Sequence, residues 1–305
     1  MRQEDKANTR KGGSAGWLET PTLLIAIAIY GAWLVLTAFH SFLPLPCLAM
    51  AGGIVIAWHG SLQHETIHGH PTRSRWMNAA IGSLPLSLWL PYAVYRRTHI
   101  AHHETANITD PLDDPESQYL RRTGGIRFWL ASVERTLAGR LILGPPIRIG
   151  HFLALELRNA AHNPTASARE WLPHILLVML LLGWLRRVDL PVGTYILTFV
   201  YPGTALSLLR SFAEHRAHPD RQSRAAIVTR PGLFGLLFLN NNLHAVHHAR
   251  PDLPWYALPK FHGRHREAFA AAPHYESYGA IASRHWLRPH DVVIHPDHAP
   301  GGMHP

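Results

Sequence analysis

The sequence predicts an all-α integral membrane protein with two transmembrane helical hairpins (four transmembrane helices), interfacial helices and a cytoplasmic histidine-rich cap. Two pairs of long apolar stretches predict the hairpins. Hydrophobic residues make up 47% of the 305 residues and charged residues only 16%, which argues against a disordered chain. Histidine occurs 24 times, and because imidazole is the commonest metal ligand in proteins, this abundance predicts a metal site.

The first hairpin is predicted by the stretch from Pro21 to Trp58, which contains no Asp, Glu, Lys or Arg. Its length is about twice what one bilayer crossing needs, and Pro44 and Pro46 mark the bend. We therefore expect one helix over about residues 22–42 and a second from about residue 48 into residues 59–70. Residues 1–20 are expected to form a retained cytoplasmic tail, because no small-residue cleavage site follows the first apolar run.

The second hairpin is predicted by the apolar residues 171–185 and 190–209, which a short polar break separates. Residues 77–95 are also uncharged, but Pro85 and Pro91 interrupt them. If this stretch spanned the bilayer, the histidines on either side of it would face opposite sides of the membrane. An interfacial or re-entrant segment is therefore predicted.

The remaining elements are predicted to lie at the membrane surface or in the cytoplasm. Residues 126–143 mix apolar and arginine side chains, which is typical of a helix lying on the bilayer. Residues 21–262 are expected to form the membrane-embedded domain and residues 263–305 a cytoplasmic C-terminal segment. The net charge of +9 comes mainly from scattered arginines, which indicates contact with anionic lipid and no nucleic-acid partner. A soluble helical protein with unusually apolar core helices is the alternative.

Three histidine clusters and one further histidine form the candidate metal site. The first cluster has a spacing of four residues, and the other two have spacings of three and four, so each cluster places its imidazoles on one helical face. Cys47 is the only cysteine, which excludes cysteine-based metal sites. The candidate ligands are His64, His68, His99, His102, His103, His215, His244, His247 and His248.

Two alternatives stay open from the residues alone. A single histidine is more often a surface or capping residue than a ligand. The residues from His64 to His68 also read HExxH, the signature of zinc proteases in which the glutamate is the base. One zinc ion needs only three protein ligands and an open position, however, whereas this chain offers three clusters and His215.

The pattern of one HxxxH and two HxxHH boxes, with a histidine after the fourth apolar stretch, resembles the membrane fatty acid desaturase and hydroxylase superfamily over about residues 40–260. The resemblance implies that the nine histidines bind two iron ions and that dioxygen is a co-substrate. It favours a fatty acid (acyl-chain) desaturase that introduces a C=C bond. The alternative is a di-iron hydroxylase or ketolase of an alkyl chain, a carotenoid or a small metabolite. Ser211 departs from the acyl-CoA desaturases, which have asparagine there.

The resemblance also implies partners and a location. Two electrons must come from an external ferredoxin, rubredoxin or cytochrome, because the chain has no cysteine cluster and no nucleotide fingerprint. Membrane lipid and a hydrophobic acyl-type substrate are the other expected partners, and the boxes are expected on the cytoplasmic side of the inner (cytoplasmic) membrane. Glu65, Asp110 and Glu214 are expected to accept the outward N–H groups of ligating imidazoles.

Overall fold

A computed structural model describes residues 18–299, and most of the predicted N-terminal tail, residues 1–17, lies outside this range. The described chain is mostly helical. Its helices are α1 Thr20–Ala38, α2 Leu45–Ile67, α3 Arg75–Gly82, α4 Tyr92–Glu104, α5 Gly125–Val133, α6 Leu137–Ile142, α7 Gly144–His162, α8 Pro164–Arg187, α9 Val192–Glu214, α10 Phe234–Leu237, α11 His244–Ala249, α12 Leu258–Arg264 and α13 Tyr278–His285. Two short strands, β1 Ile227–Val228 and β2 His274–Tyr275, pair in parallel.

Four of the described helices, α1, α2, α8 and α9, are long and apolar enough to cross a membrane, which confirms the predicted fold class. A 3-10 turn at His40–Phe42 and Pro44 separates α1 from α2, where the sequence predicts the bend. The second hairpin is longer than predicted, because α8 begins at Pro164 and α9 continues to Glu214. Large apolar side chains such as Ile27 and Leu180 are exposed on these helices, as lipid contact requires.

The two hairpins pack through a close approach of α2 and α9. A Cβ on Gly203 would overlap the side chain of Ile56, and a Cβ on Gly52 would overlap the carbonyl oxygen of Thr198. Small residues let helix backbones approach in this way when lipid provides no hydrophobic drive for association. A π-helical turn, Ile196–Val200, lies at this crossing. The close contact fixes the ends of α2 and α9 relative to one another.

The uncharged segment between α3 and α4 enters the bundle without spanning it, as the sequence predicts. Leu86 is fully buried in the core that the four long helices form. Its carbonyl oxygen accepts a hydrogen bond from the Tyr195 hydroxyl at 2.7 Å, and that of Leu88 accepts one from Nε2 of His174 at 2.8 Å. Irregular backbone is tolerated at membrane depth only where protein groups satisfy it in this way. The segment returns the chain to the side it left, where α4 begins.

The predicted surface helix over residues 126–143 is divided in two, which corrects the sequence-based expectation. The Thr136 hydroxyl accepts a hydrogen bond from the Gly139 N–H and caps α6, so the helix restarts there. Arg140 is buried, and its Nε donates to the Glu134 carbonyl oxygen at 3.1 Å. Ile126 and Trp129 of α5 are exposed, in keeping with a position at the membrane surface.

Residues 215–299 form the histidine-rich cap over one end of the four long helices. The Ser61 hydroxyl of α2 donates to the Leu237 carbonyl oxygen at 2.9 Å, and the Trp255 N–H donates to the Glu65 carboxylate at 3.0 Å. These bonds hold α10 and the segment between α11 and α12 against the end of α2. The predicted domain boundary between residues 262 and 263 stays a prediction.

Candidate metal centre

The nine predicted histidines come together at the cap end of the bundle in two adjacent groups. The five-histidine group consists of His64, His68, His99, His103 and His247, and the four-histidine group of His102, His215, His244 and His248. In each group the candidate ligand atoms all lie within 4.8 Å of one another. Histidines as far apart in the sequence as His64 and His248 therefore contribute to one shared site.

Each HxxHH box supplies both groups because of helical geometry. Residues four apart share a helix face, so His99 and His103 of α4 enter the five-histidine group together. His102, three residues from His99, lies at the edge of the same face and enters the four-histidine group. On α11 the arrangement is reversed, because His244 and His248 join the four-histidine group while His247 joins the five-histidine group.

The spacing of the Nε2 atoms in the four-histidine group suits a metal ion. His102 Nε2 lies 3.1 Å from that of His215 and 3.2 Å from that of His248. His244 Nε2 lies 2.8 Å from that of His215 and 3.1 Å from that of His248. Nitrogen ligands about 2.1 Å from a metal ion are themselves about 3.0–3.4 Å apart in octahedral or tetrahedral geometry. The four nitrogens thus surround a position that a metal ion fits.

The proton positions of His102 and His215 leave their facing nitrogens as lone-pair donors. The His102 Nδ1–H donates to the Asp114 carboxylate at 2.8 Å, and the His215 Nδ1–H donates to the Arg224 carbonyl oxygen at 3.2 Å. An acceptor at Nδ1 fixes the neutral tautomer whose Nε2 is unprotonated, and this is the usual arrangement around a metal-bound imidazole. Facing lone pairs repel one another unless a cation lies between them.

The five-histidine group shows the same signs. Nε2 of His68 lies 3.0 Å from Nε2 of His99. The Nδ1–H of His99 donates to the Glu116 carboxylate at 3.1 Å. Nε2 of His103 lies 3.1 Å from that of His247. Nε2 of His64 is buried and has no hydrogen-bond partner among residues 18–299. Buried polar atoms are normally paired, so an orphaned imidazole nitrogen among four others indicates a ligand position.

The electrostatics of the site favour neutral imidazoles at His68 and His215, while His102, beside the Asp114 carboxylate, is an exception. Burial, together with neighbouring histidines, lowers the pKa of His68 to about 2 and that of His215 to about 3. Burial also acts to lower the pKa of His102, but the Asp114 carboxylate outweighs it and the pKa is raised. Burial acts to raise the pKa of Glu116, yet the nearby His99 brings it down to about 2. Neutral nitrogens of this kind are ready to bind a cation.

The carboxylates that orient the ligands are mostly different from those predicted. The sequence does not identify Asp114 and Glu116 as the partners of His102 and His99. Residues 110–116 contain four acidic residues, and only the folded loop shows which two contact these histidines. Asp110 contacts His298, outside the nine, and Glu65 accepts the Trp255 N–H. Both expectations were wrong as to partner.

Glu214 comes closer to its expected role. The Glu214 carboxylate lies 3.6 Å from Nδ1 of His244. The Asn241 side chain links the two residues, because its oxygen lies 3.3 Å from the same Nδ1 and its NH2 group donates to the Glu214 carboxylate.

Ser211, the position that departs from the acyl-CoA desaturases, donates to the Leu208 carbonyl oxygen within its own helix at 3.2 Å. It also lines, with His215, a polar cavity of about 20 Å³, which has room for one water molecule.

Comparison with known proteins agrees with this geometry. The family model described as fatty acid desaturase matches residues 40–280. A beta-carotene ketolase of Paracoccus sp. (strain N81106 / MBIC 01143) is 29% identical over 261 residues, which cover 79% of this chain and 92% of the relative. A zeaxanthin 4-ketolase of Chlamydomonas reinhardtii is 26% identical over 268 residues, 82% of this chain but only 53% of the relative, so the chain spans about half the length of that protein. These similarities and the four apolar helices make the chain a membrane oxidoreductase that belongs to the fatty acid desaturase family.

Proposed function

We propose that this protein is a membrane-bound, O2-dependent di-iron oxygenase that converts a methylene group of a carotenoid-type substrate into a ketone. The observation that carries the di-iron assignment is the convergence of nine imidazoles, with facing Nε2 atoms, in two adjacent groups. The family to which the chain belongs implies two iron ions, and the donor set fits them because imidazole nitrogen suits iron.

The two histidine groups would bind the irons, and the nearby carboxylates would orient the histidines. The five-histidine group would hold one iron and the four-histidine group the other. When bound, the irons would supply the activation of dioxygen for attack on a C–H bond. Conversion of a methylene group into a ketone would take two rounds, each using one dioxygen, two external electrons and two protons and releasing one water. The first round would give the alcohol, and the second would give the hydrate, which loses water to form the ketone. Asp114 and Glu116 keep Nδ1 of His102 and His99 protonated, so that Nε2 stays available to the metal. The burial of the site excludes bulk water from the oxidant.

A zinc protease is the distant alternative, and two observations count against it. Its glutamate would have to act as a base beside the metal, but Glu65 is buried and accepts the backbone N–H of Trp255. The second histidine group would also have no purpose, because one zinc ion needs three protein ligands and an open position.

The substrate class rests on the relatives. Both are carotenoid ketolases by name, and the bacterial one is covered over 92% of its length. Acyl-chain desaturation, which the resemblance to the superfamily favours, remains the competing prediction. Both reactions begin at a C–H bond of a hydrophobic molecule, and the arrangement of histidines serves either of them.

The partners and the orientation are part of the proposal. An external ferredoxin, rubredoxin or cytochrome would deliver the electrons to the cap side. We place the cap in the cytoplasm, since exposed arginines such as Arg121 and Arg264 lie on that side and cytoplasmic loops are enriched in basic residues. This basic surface suits an acidic electron carrier, and turnover should then fall as salt concentration rises.

The test is expression in a bacterial host that makes β-carotene and has no ketolase of its own. We expect a carotenoid that has gained one oxygen and lost two hydrogens, with the oxygen label coming from labelled dioxygen. His102→Ala should abolish this product, and His265→Ala, a change at an exposed histidine outside both groups, should not.

Two other outcomes would contradict the substrate assignment. New double bonds in the host's acyl chains, with carotenoids unchanged, would establish the desaturase instead. An unchanged carotenoid profile in cells that contain iron-loaded protein and an active electron donor would refute ketolation while leaving the di-iron site intact.

A further inference from the structure

A third cluster of metal-ligating side chains lies outside the nine-histidine site. It consists of Asp110, His295 and His298, whose candidate ligand atoms all lie within 4.8 Å of one another. Nε2 of His298 is 3.1 Å from Oδ1 of Asp110. Two ligands about 2.1 Å from a tetrahedral metal ion are about 3.4 Å apart, so this pair is already at nearly the required separation.

Local structure explains why the three side chains meet. Pro296–His298 form a 3-10 turn, and residues three apart in such a turn project to the same side, as His295 and His298 do. Asp110 begins a turn in which its Oδ1 accepts the Leu112 N–H at 2.8 Å, which fixes the carboxylate. Burial acts to raise the pKa of Asp110, but the Leu112 N–H and His298 lower it, so the group is ionised.

The protonation of His295 suits a ligand. Its ring is fully buried, and burial together with the nearby Arg224 lowers its pKa, so the imidazole is neutral. Its Nδ1 accepts one long hydrogen bond from the Asp297 N–H at 3.3 Å, and therefore carries the lone pair. Its Nε2–H is then free to donate to the Thr109 hydroxyl at 3.0 Å. A hydrogen bond on the far nitrogen is the usual support of a metal-bound imidazole.

We propose that Asp110, His295 and His298 bind a third metal ion, a divalent transition metal of the zinc type, separate from the nine-histidine site. Two imidazoles and one carboxylate are a common donor set for such ions, and water would complete the coordination. This assignment does not depend on the substrate or the reaction proposed above.

The position of the cluster gives the ion a structural task. Thr109, which contacts His295, also donates its backbone N–H to Oδ2 of Asp114 at 2.7 Å. Asp114 in turn orients His102 of the four-histidine group. The ion would therefore clamp the C-terminal segment onto the loop that positions a ligand of the main site.

The experiment compares the metal content of full-length purified variants, with zinc as the probe. Wild type, Asp110→Asn and His298→Ala are dialysed against limiting zinc with a chelator, and iron and total transition metal are measured separately. We expect each variant to hold about one metal ion per chain fewer than wild type, with its iron content unchanged. Asp110→Asn keeps the shape of the side chain, so it still tests the proposal if His298→Ala does not fold.

The matched control is His265→Ala, which removes an exposed histidine far along the chain from the cluster. Loss of the same amount of zinc in this control would mean adventitious binding by surface histidines and would overturn the proposal. Identical zinc content in wild type and both cluster variants would overturn it as well, and would leave the Asp110–His298 contact as an ion pair only.

Discussion

Replacement of Asp114 by asparagine tests the orienting role of the buried carboxylate. Both side chains of the His102–Asp114 pair are only 1% exposed. The carboxylate accepts three N–H groups, since Oδ1 accepts those of His102 and Glu116 and Oδ2 accepts that of Thr109, all at 2.7–2.8 Å. An amide offers only one acceptor oxygen, so in either flip its NH2 group faces an N–H donor.

The magnitude follows from these contacts. Losing a hydrogen bond to a buried charged group and leaving a donor unpaired costs about 1–3 kcal/mol. Outer partners of metal-bound histidines typically contribute about 10- to 100-fold in metal affinity, which corresponds to about 1.4–2.7 kcal/mol. We therefore expect Asp114→Asn to bind iron at the four-histidine group at least tenfold more weakly and to lose activity accordingly.

The assay is competition between the purified protein and a ferrous chelator, with iron per chain measured at each chelator concentration. Asp113→Asn is the matched control, because it makes the same chemical change at the adjacent, exposed residue, whose carboxylate binds only the side chain of Asn107 among the hydrogen bonds described. If Asp114→Asn kept iron as tightly as Asp113→Asn and wild type, the carboxylate would not be orienting a ligand and the assignment of His102 would be undermined.

Three further predictions concern pH, metal removal and packing. Burial lowers the pKa of His215 and His290 to about 3 in the folded protein, against about 6.5 in the unfolded chain, so the unfolded chain binds more protons between these pH values. The metal-free protein should therefore lose about 1.4 kcal/mol of stability per pH unit per histidine as the pH falls from 6.5 towards 3. Denaturant titrations that give the same stability across this range would contradict this. Chelation should abolish activity and lower Tm, with ferrous iron but not zinc restoring turnover; recovery with zinc would argue for the protease. Gly203→Ala should destabilise the protein by about 1–3 kcal/mol, because the added methyl group overlaps Ile56 of α2. Gly31→Ala, where the added methyl group meets no atom within 4 Å, should be nearly neutral, and equal thermal shifts for the two variants would refute the close packing.

The nine-histidine site shows how a membrane bundle can build a polar centre at its end. Two spanning helices deliver His64 and His215 at their cap-side ends, and the shorter α4 and α11 supply both groups at once. The close packing of α2 and α9 therefore bears directly on the geometry of the two histidine groups, because a shift of one helix along the other would move these histidines apart. Disturbance of that packing should reduce iron retention as well as stability.

Much of this protein was determined by its sequence alone. The uncharged stretch from Pro21 to Trp58 fixes a hairpin because bilayer thickness sets a minimum length, and Pro85 and Pro91 rule out a fifth spanning helix. The spacing within each histidine box selects one helix face, because the helical repeat is a local property of the backbone. These signals do not depend on which segments pack together, and they predicted the fold and the nine histidines that the structure brings together.

The tertiary structure alone decided the rest. It determined which of the two groups each histidine joins, that Asp114 and Glu116 contact these histidines and Asp110 does not, and that Arg140 is buried. Such choices depend on distances between segments far apart in sequence, and hydrogen bonds and charges act only at a few ångströms. A carboxylate in a loop becomes a partner of an imidazole only when packing brings the two together, and no periodicity in the chain records that event.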